Sequence, residues 1–197
     1  LALCTSNLDD PSIKLPSDHF NTVLWSGDNT TPRTITGVGF QPDLVWTKDR
    51  TNTRNFLQWD DIRTFGADKA LSSNANSVEG DSASGTYGYL SATTADGFTA
   101  TGGSDGSYPY RYVNQTGTNY LSWNWLATDS FDPTTDGTVT TASGQRNVTA
   151  GFSIVGYQGE ASAMTIGHGL SQTPDWVIVK NRGNGTNWPT HYGASNR

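Results

Sequence analysis

Short runs of alternating apolar and polar residues, separated by turn-forming residues, extend along most of this chain. In NYLSWNWLA (119–127), Leu121, Trp123 and Trp125 fall on one face of an extended strand, which we interpret as its core face. Similar runs are FNTVLWSG (20–27), TITGVGF (34–40), LVWTKDR (44–50) and FLQWDDIR (56–63). The stretch 87–103 contains Asp96-Gly97, a dipeptide typical of tight β-hairpins. The pattern predicts an all-β protein, an antiparallel β-sandwich of the jelly-roll type.

Two parts of the chain repeat each other. GFSIVGYQG (151–159) matches HFNTVLWSG (19–27), and the segments that follow share a Gly-x-Gly step in which His168 takes the place of Val38. Further shared pairs are Pro42/Pro174, Asp43/Asp175, Val45/Val177, Lys48/Lys180 and Arg50/Arg182. So many matches indicate a tandem duplication. We predict a linker or docking arm at 1–18, a first β-sandwich repeat at 19–150 and the start of a second repeat at 151–197, and we expect the native polypeptide to continue past Arg197.

Composition and charge narrow the function classes. The chain of 197 residues contains 22 Gly and only 15% charged residues, and its net charge is −6. Its 12 basic residues are scattered, which argues against a nucleic-acid partner. The single cysteine, Cys4, excludes an internal disulfide and a cysteine-based zinc site. No apolar run reaches the length of a membrane helix, so we predict no membrane insertion. The chain has no phosphate-binding Gly loop, and we predict no cofactor.

The polar residues do not form a recognisable catalytic constellation. The three histidines, His19, His168 and His191, are far from any nucleophile motif, and we interpret His168 and His191 as structural. Asp60 and Asp61 are adjacent, so on a strand they would point to opposite faces, whereas glycoside hydrolysis needs two carboxyl groups across one cleft. Calcium stays open as an alternative in Asp/Asn-rich loops such as SDG (104–106), although no loop has the ligand spacing of an EF-hand. We therefore predict no catalytic residue, no metal ligand and no enzymatic activity.

Aromatic residues are the most abundant candidates for ligand contacts, since the chain contains seven Trp and eight Tyr. Exposed aromatic rings beside polar groups bind sugars or proteins, because a large flat face is buried at little entropic cost. We place Trp46, Trp123, Trp125 and Trp176 in the core because they lie in strand pattern. The predicted surface aromatics, which are also the candidate ligand-binding residues, are Trp25, Trp59, Tyr108, Tyr110, Tyr112 and Trp188.

Several motifs together carry a family resemblance: NTVLWSGDNTT, TITGVGFQPDLVWTKDR, NYLSWNWLA, and GFSIVGYQG followed by GHGL and PDWVIVKNR. They resemble a tandem-repeat family of virion proteins from tailed phages, notably of marine and cyanobacterial hosts. Members of that family often lie beside lectin-like or SPRY-like jelly-roll domains. The resemblance spans roughly residues 5–197 and brings no catalytic residues. It implies a viral structural or host-attachment role.

The leading expectation is a non-catalytic tail-fibre or tail-associated module that attaches the virion to host-surface glycans. Its partners would be other virion subunits and glycans, and a homo-oligomer is expected, with a trimer matching symmetric virion positions. Two alternatives stay open: a capsid decoration or head-fibre protein, and a carbohydrate-binding module of a secreted bacterial enzyme. The expected location is the virion surface at tail or capsid, or otherwise the extracellular space.

Overall fold

Strands and turns make up nearly all of the regular structure. The structure is a computed structural model that describes residues 13–81 and 83–193. Its strands are β1 (Phe20–Ser26), β2 (Arg33–Thr36), β3 (Leu44–Asp49), β4 (Leu57–Asp60), β5 (Leu71–Ser72), β6 (Tyr89–Thr94), β7 (Gly97–Thr101), β8 (Asn119–Trp125), β9 (Asp129–Phe131), β10 (Ala142–Asn147), β11 (Phe152–Tyr157), β12 (Trp176–Ile178) and β13 (Thr190–Tyr192). A 3-10 turn covers Pro16–Asp18, and one short helix, α1, covers Ser84–Tyr87. Cys4 and most of the predicted leader lie outside the described residues.

Two antiparallel sheets form the main body. The larger has the order β1-β8-β3-β4-β5, and the smaller has the order β2-β7-β6. In the larger sheet, Phe20 of β1 and Leu44 of β3 both face Trp125 of β8. A second three-stranded sheet, β11-β10-β9, and the hairpin β12-β13 follow along the chain. The prediction of an all-β, antiparallel fold is confirmed, whereas the jelly-roll connectivity and the tandem repeat stay predictions.

The hydrophobic core lies between the two sheets of the main body. Alternate residues of each strand point inward, as the pleat requires. Trp25 of β1 stacks on Tyr120 of β8 at a centroid distance of 5.4 Å and meets the edge of Phe98 of β7 at 5.7 Å. Further buried members from both sheets are Val23, Ile35, Val45, Leu57, Trp59, Leu90 and Ala100.

Burial corrects the surface assignment of two tryptophans. Trp25 is 8% exposed and Trp59 is fully buried. Each indole N–H has an acceptor inside the fold, since Trp25 donates to the Val113 carbonyl at 2.9 Å and Trp59 to the Gly66 carbonyl at 3.1 Å. A satisfied N–H removes the usual obstacle to burying a tryptophan. The prediction that these two residues lie on the surface is therefore wrong.

The tryptophans that we placed in the core are exposed to different degrees. Trp46, Trp123 and Trp125 lie half-buried on the opposite face of the larger sheet. There they join an aromatic row with Phe20, Phe56 and Phe152, which we call the outer aromatic face. Trp176 is 59% exposed, because β12 pairs only with β13 among the described strands and contributes nothing to the sandwich core. The core prediction is wrong for Trp176 and misplaces the other three.

Candidate functional site

An irregular loop at residues 103–114, the tyrosine loop, brings three of the six candidate aromatics together. Its backbone is docked on α1 and the residues around it. Ser104 N–H donates to the Gly85 carbonyl at 3.0 Å, Asp105 N–H to the Thr86 carbonyl at 2.9 Å, and Tyr112 N–H to the Tyr87 carbonyl at 2.9 Å. The loop therefore has a defined backbone although it contains no regular structure.

The centre of the tyrosine loop is an arginine held between two aromatic rings. The Arg111 guanidinium carbon lies 4.6 Å from the Tyr87 ring centroid and 4.7 Å from that of Tyr108. Tyr108 is 48% exposed, so part of this stack faces solvent. Tyr112 meets Tyr87 edge to face at 5.8 Å, and burial raises the pKa of its phenol. The stack combines flat apolar surface with a fixed cation.

A carboxylate accompanies the stack. Asp105 accepts backbone N–H bonds from Tyr108 at 2.6 Å and from Ser107 at 2.9 Å. These two bonds, helped by the nearby Arg111 charge, hold the pKa of Asp105 below its usual value. The loop therefore presents a charged carboxylate near the arginine at neutral pH.

The sandwich fixes the base of the tyrosine loop from below. The hydroxyl of Tyr120 donates to the Arg111 carbonyl at 3.0 Å and accepts the Gln115 N–H at 3.0 Å, and burial raises the pKa of Tyr120 to about 12. Arg54 also donates to the Arg111 carbonyl, and it pairs with buried Asp49 at 3.0 Å. The bond from Trp25 to Val113 adds a further anchor. These contacts hold the loop in place before any ligand arrives.

The six predicted aromatics thus divide into groups. Tyr108, Tyr110 and Tyr112 belong to the tyrosine loop, Trp25 supports it from beneath, and Trp59 lies in the core. Trp188 is half-buried, and its N–H donates to the Ser72 and Ala75 carbonyls at 3.1 and 2.9 Å. A ligand-binding role for these residues stays a prediction.

Sequence reasoning missed three members of the cluster: Tyr87, Asp105 and Arg111. Arg111 could have been found, because it stands between tyrosines in YPYRYVN. Tyr87 carries no such signal, since only the docking of the loop on α1 brings it there.

A concave region lies on the β10 side of the molecule. It is an open cavity of about 430 Å³ whose wall includes Asp136, Arg146, His168 and Ser171. Arg146 of β10 packs over the Phe131 ring at 5.3 Å and donates from Nη1 to the Gly169 carbonyl at 2.8 Å. Its Nε–H is buried and has no acceptor among the described residues.

The adjacent acidic residues Asp60 and Asp61 make structural contacts. Asp60 pairs with buried Arg63 at 2.6 Å, and Asp61 accepts a bond from Gln145 at 2.8 Å. Across residues 13–81 and 83–193, no group of three or more His, Cys, Asp or Glu side chains could hold a metal ion. In the same part of the chain, helices of the length and apolarity required to span a bilayer are absent.

The fold and the tyrosine loop define an all-β sandwich domain with a preorganised aromatic surface. Comparison with known families assigns it further: the model of a domain of unknown function, DUF7483, matches residues 15–195. The chain belongs to this family. No curated protein and no solved structure matches it.

Proposed function

We propose that this domain is a non-catalytic binding module that attaches a phage virion, at its tail or tail fibre, to glycans on the host surface. The observation that carries the proposal is the half-exposed stack of Tyr87, Arg111 and Tyr108. The apolar face of a sugar ring packs well on a phenol ring, while hydroxyl groups take hydrogen bonds from a guanidinium and donate to a carboxylate such as Asp105.

Rigidity favours binding by this loop. A ligand that meets a preformed surface does not have to order it, so less of the interaction energy is lost to entropy. The bonds from Tyr120, Arg54 and Trp25 to the loop backbone supply this rigidity. An affinity that is modest for one domain becomes strong when many copies act together on one particle.

The virion setting rests on the resemblance of the sequence motifs to those of tailed-phage virion proteins. An antiparallel sandwich suits such a setting, because its loops carry the recognition chemistry while the sheets stay fixed. In this proposal the partners are other virion subunits as well as glycans, and the working form is a homo-oligomer.

A capsid decoration or head-fibre protein is the second candidate, and a different surface favours it. Apolar side chains are exposed on the hairpin β12-β13, where Trp176 is accompanied by Tyr192 at 77% exposure. The outer aromatic face adds Leu24, which is also exposed. Exposed apolar patches commonly mark protein contacts, and here they would pack against neighbouring virion subunits.

A glycan array followed by calorimetry tests the leading proposal. The intact chain should bind a set of host-surface glycans, and Tyr108→Ala should weaken this binding. Tyr108 is 48% exposed, so a ligand that covers the exposed half of its ring gains about 0.75–1.5 kcal/mol, which corresponds to about fourfold to tenfold in affinity. The matched control is Tyr157→Ala, which removes an exposed tyrosine of β11 outside the loop. Equal affinities of the two variants, or no bound glycan at all, would contradict the proposal.

Immunogold labelling of purified particles separates the two candidates. Antibodies against this domain should label the tail tip if it contacts the host. Label spread over the head would instead favour the decoration protein, whose apolar surface contacts capsid subunits.

A further inference from the structure

The cavity beside β10 contains an arginine whose hydrogen-bonding capacity is only partly used. Arg146 donates from Nη1 to Gly169, but Nε has no acceptor, and Nη2 makes no hydrogen bond to any described residue. Asp129 lies opposite Arg146 on β9, yet the two side chains form no ion pair within the described chain. Because Nε is buried, Nη2 is the nitrogen of this guanidinium that a ligand can reach, and it can donate a charge-assisted hydrogen bond to a carboxylate oxygen.

The surrounding side chains offer complementary groups. His168 accepts the Leu170 N–H on Nδ1 at 3.1 Å, so in the neutral ring the proton lies on Nε2 and is available to a ligand oxygen. Asp136 and Ser171 also line the cavity, and both can bind sugar hydroxyls. A single arginine beside an aspartate favours a ligand with one negative charge over a doubly charged phosphate.

The chain builds this cavity by bringing the loop 133–137 against 165–169. Gly167 N–H donates to the Pro133 carbonyl at 3.0 Å, and a Cβ at Gly167 would lie 2.7 Å from that oxygen. A glycine is therefore required for this close approach. In the matching Gly-x-Gly step of the first repeat, the central residue is Val38, which is fully buried. His168 instead lines an open cavity, which its predicted structural role does not explain.

We propose that this cavity is a second ligand site, which binds a monocarboxylated sugar of the uronate class. The carboxylate would bind Nη2 of Arg146, and the hydroxyls would bind Asp136, His168 and Ser171. Its volume of about 430 Å³ lies within the usual range of small-molecule sites, about 300–1,000 Å³. The inference stands apart from the function proposed for the tyrosine loop, because it rests on different residues.

An NMR titration of the isotope-labelled intact chain tests this site. Sodium D-glucuronate is compared with D-glucose, which lacks the carboxylate, and with sodium acetate, which lacks the ring. Glucuronate should shift the Arg146 Nε–H and His168 ring signals, with an affinity about tenfold or more above that of either control. Equal binding of glucose would overturn the role of the carboxylate. Equal binding of acetate would overturn the assignment of a sugar. Unchanged signals with glucuronate would overturn the site.

Variants assign the binding to these residues. Arg146→Met keeps the aliphatic stem and removes the guanidinium, and His168→Val introduces the residue that stands at the matching position of the first repeat. Each should weaken glucuronate binding, about tenfold or more for Arg146→Met. The control Arg50→Met removes an exposed arginine outside both sites and should leave glucuronate binding unchanged. Glucuronate binding that Arg146→Met keeps in full would overturn the inference without touching the glycan proposal, which rests on Arg111 and the tyrosines around it. If Arg146→Met does not fold, unweakened binding by His168→Val would overturn it in the same way.

Discussion

Replacing Arg63 by methionine would remove a buried cation that two carboxylates share. Arg63 Nε lies 2.6 Å from Asp60 Oδ2, and Nη1 lies 3.1 Å from Glu79 Oε1. Nη1 also donates to the Lys69 carbonyl at 2.5 Å. The side chain of Arg63 is only 4% exposed, and those of Asp60 and Glu79 are also largely buried. Methionine fills a similar volume but satisfies none of these acceptors.

The loss in free energy of unfolding depends on the carboxylates that stay buried without a partner once Arg63 is replaced. Breaking a buried ion pair from one side costs about 3–5 kcal/mol, because the remaining charge stays desolvated. Glu79 keeps a second partner, Arg182, at 2.7 Å, so we expect the lower end, about 3 kcal/mol. Domains are stable by about 5–15 kcal/mol, so the variant should fold but be marginal. At about 2–4 °C per kcal/mol, Tm should fall by about 6–12 °C.

Urea unfolding at pH 7, followed by tryptophan fluorescence and circular dichroism, measures the loss. Arg182→Met is a matched control, because Arg182 binds the same Glu79 carboxylate while 45% exposed. An exposed pair is worth about 0–1 kcal/mol, so this variant should be nearly as stable as the intact chain. Adding Asp60→Asn to Arg63→Met should recover part of the loss, since it removes one unpaired charge. If Arg63→Met and Arg182→Met lower the free energy of unfolding by similar amounts, the buried Arg63 ion pairs do not have the stabilising role assigned to them.

Two further variants test a close contact and a buried charge. At Gly27 a Cβ would overlap the Gln115 carbonyl, whereas at Gly106 it would face open space. We therefore expect Gly27→Ala to lower the free energy of unfolding in urea by about 1–3 kcal/mol and Gly106→Ala to change it little. Equal urea midpoints for these two variants would contradict this expectation. Burial raises the pKa of Asp43, so its ionised form destabilises the fold, and this contribution of Asp43 should become less unfavourable as pH falls through its folded-state pKa. Asp43→Asn should raise the urea midpoint at pH 7, with a smaller gain near pH ~4; an unchanged midpoint at pH 7 would argue against it.

Alternation in the sequence located several strands closely. The runs at 20–27, 44–50 and 119–127 became β1, β3 and β8 with boundaries shifted by no more than a few residues. Asp96-Gly97 lies at the turn between β6 and β7, as predicted. These features succeed because they depend on local geometry: the pleat has a period of two, and tight turns need particular residues.

Alternation could not tell which face of a strand is buried. In β8 the inward residues are Tyr120, Ser122 and Asn124, while the leucine and tryptophans lie on the outer aromatic face. Partners for the amide nitrogen offset part of the cost of this burial: Asn124 Nδ2 donates to the Asn21 carbonyl and to the Ser122 hydroxyl, both at 3.0 Å. The buried Oδ1 of Asn124 has no partner among the described residues. Hydrophobicity therefore misleads when both faces of a sheet are partly covered.

The candidate sites depend on contacts between distant parts of the chain. The tyrosines at 108, 110 and 112 mark the tyrosine loop in the sequence. The ring stack around Arg111 also needs Tyr87, which reaches it only because the tyrosine loop docks on α1. The second cavity forms where the loops 133–137 and 165–169 meet on β10. No local pattern encodes such a meeting, so the sequence pointed to Tyr108 and His168 but not to Tyr87 or Arg146, which only the fold brings to these sites.

The pairing of each arginine separates supporting roles from candidate binding roles. Arg54 and Arg63 form ion pairs with buried carboxylates, so their charge is neutralised within the fold. Arg111 and Arg146 form no ion pair with the described residues and pack on aromatic rings instead. An aromatic ring orients a guanidinium without neutralising it, which leaves its charge and spare N–H groups for an incoming acceptor. The two arginines that the fold orients but does not neutralise are those beside a solvent-facing aromatic stack and an open cavity. This division is why we place ligand binding at these two sites.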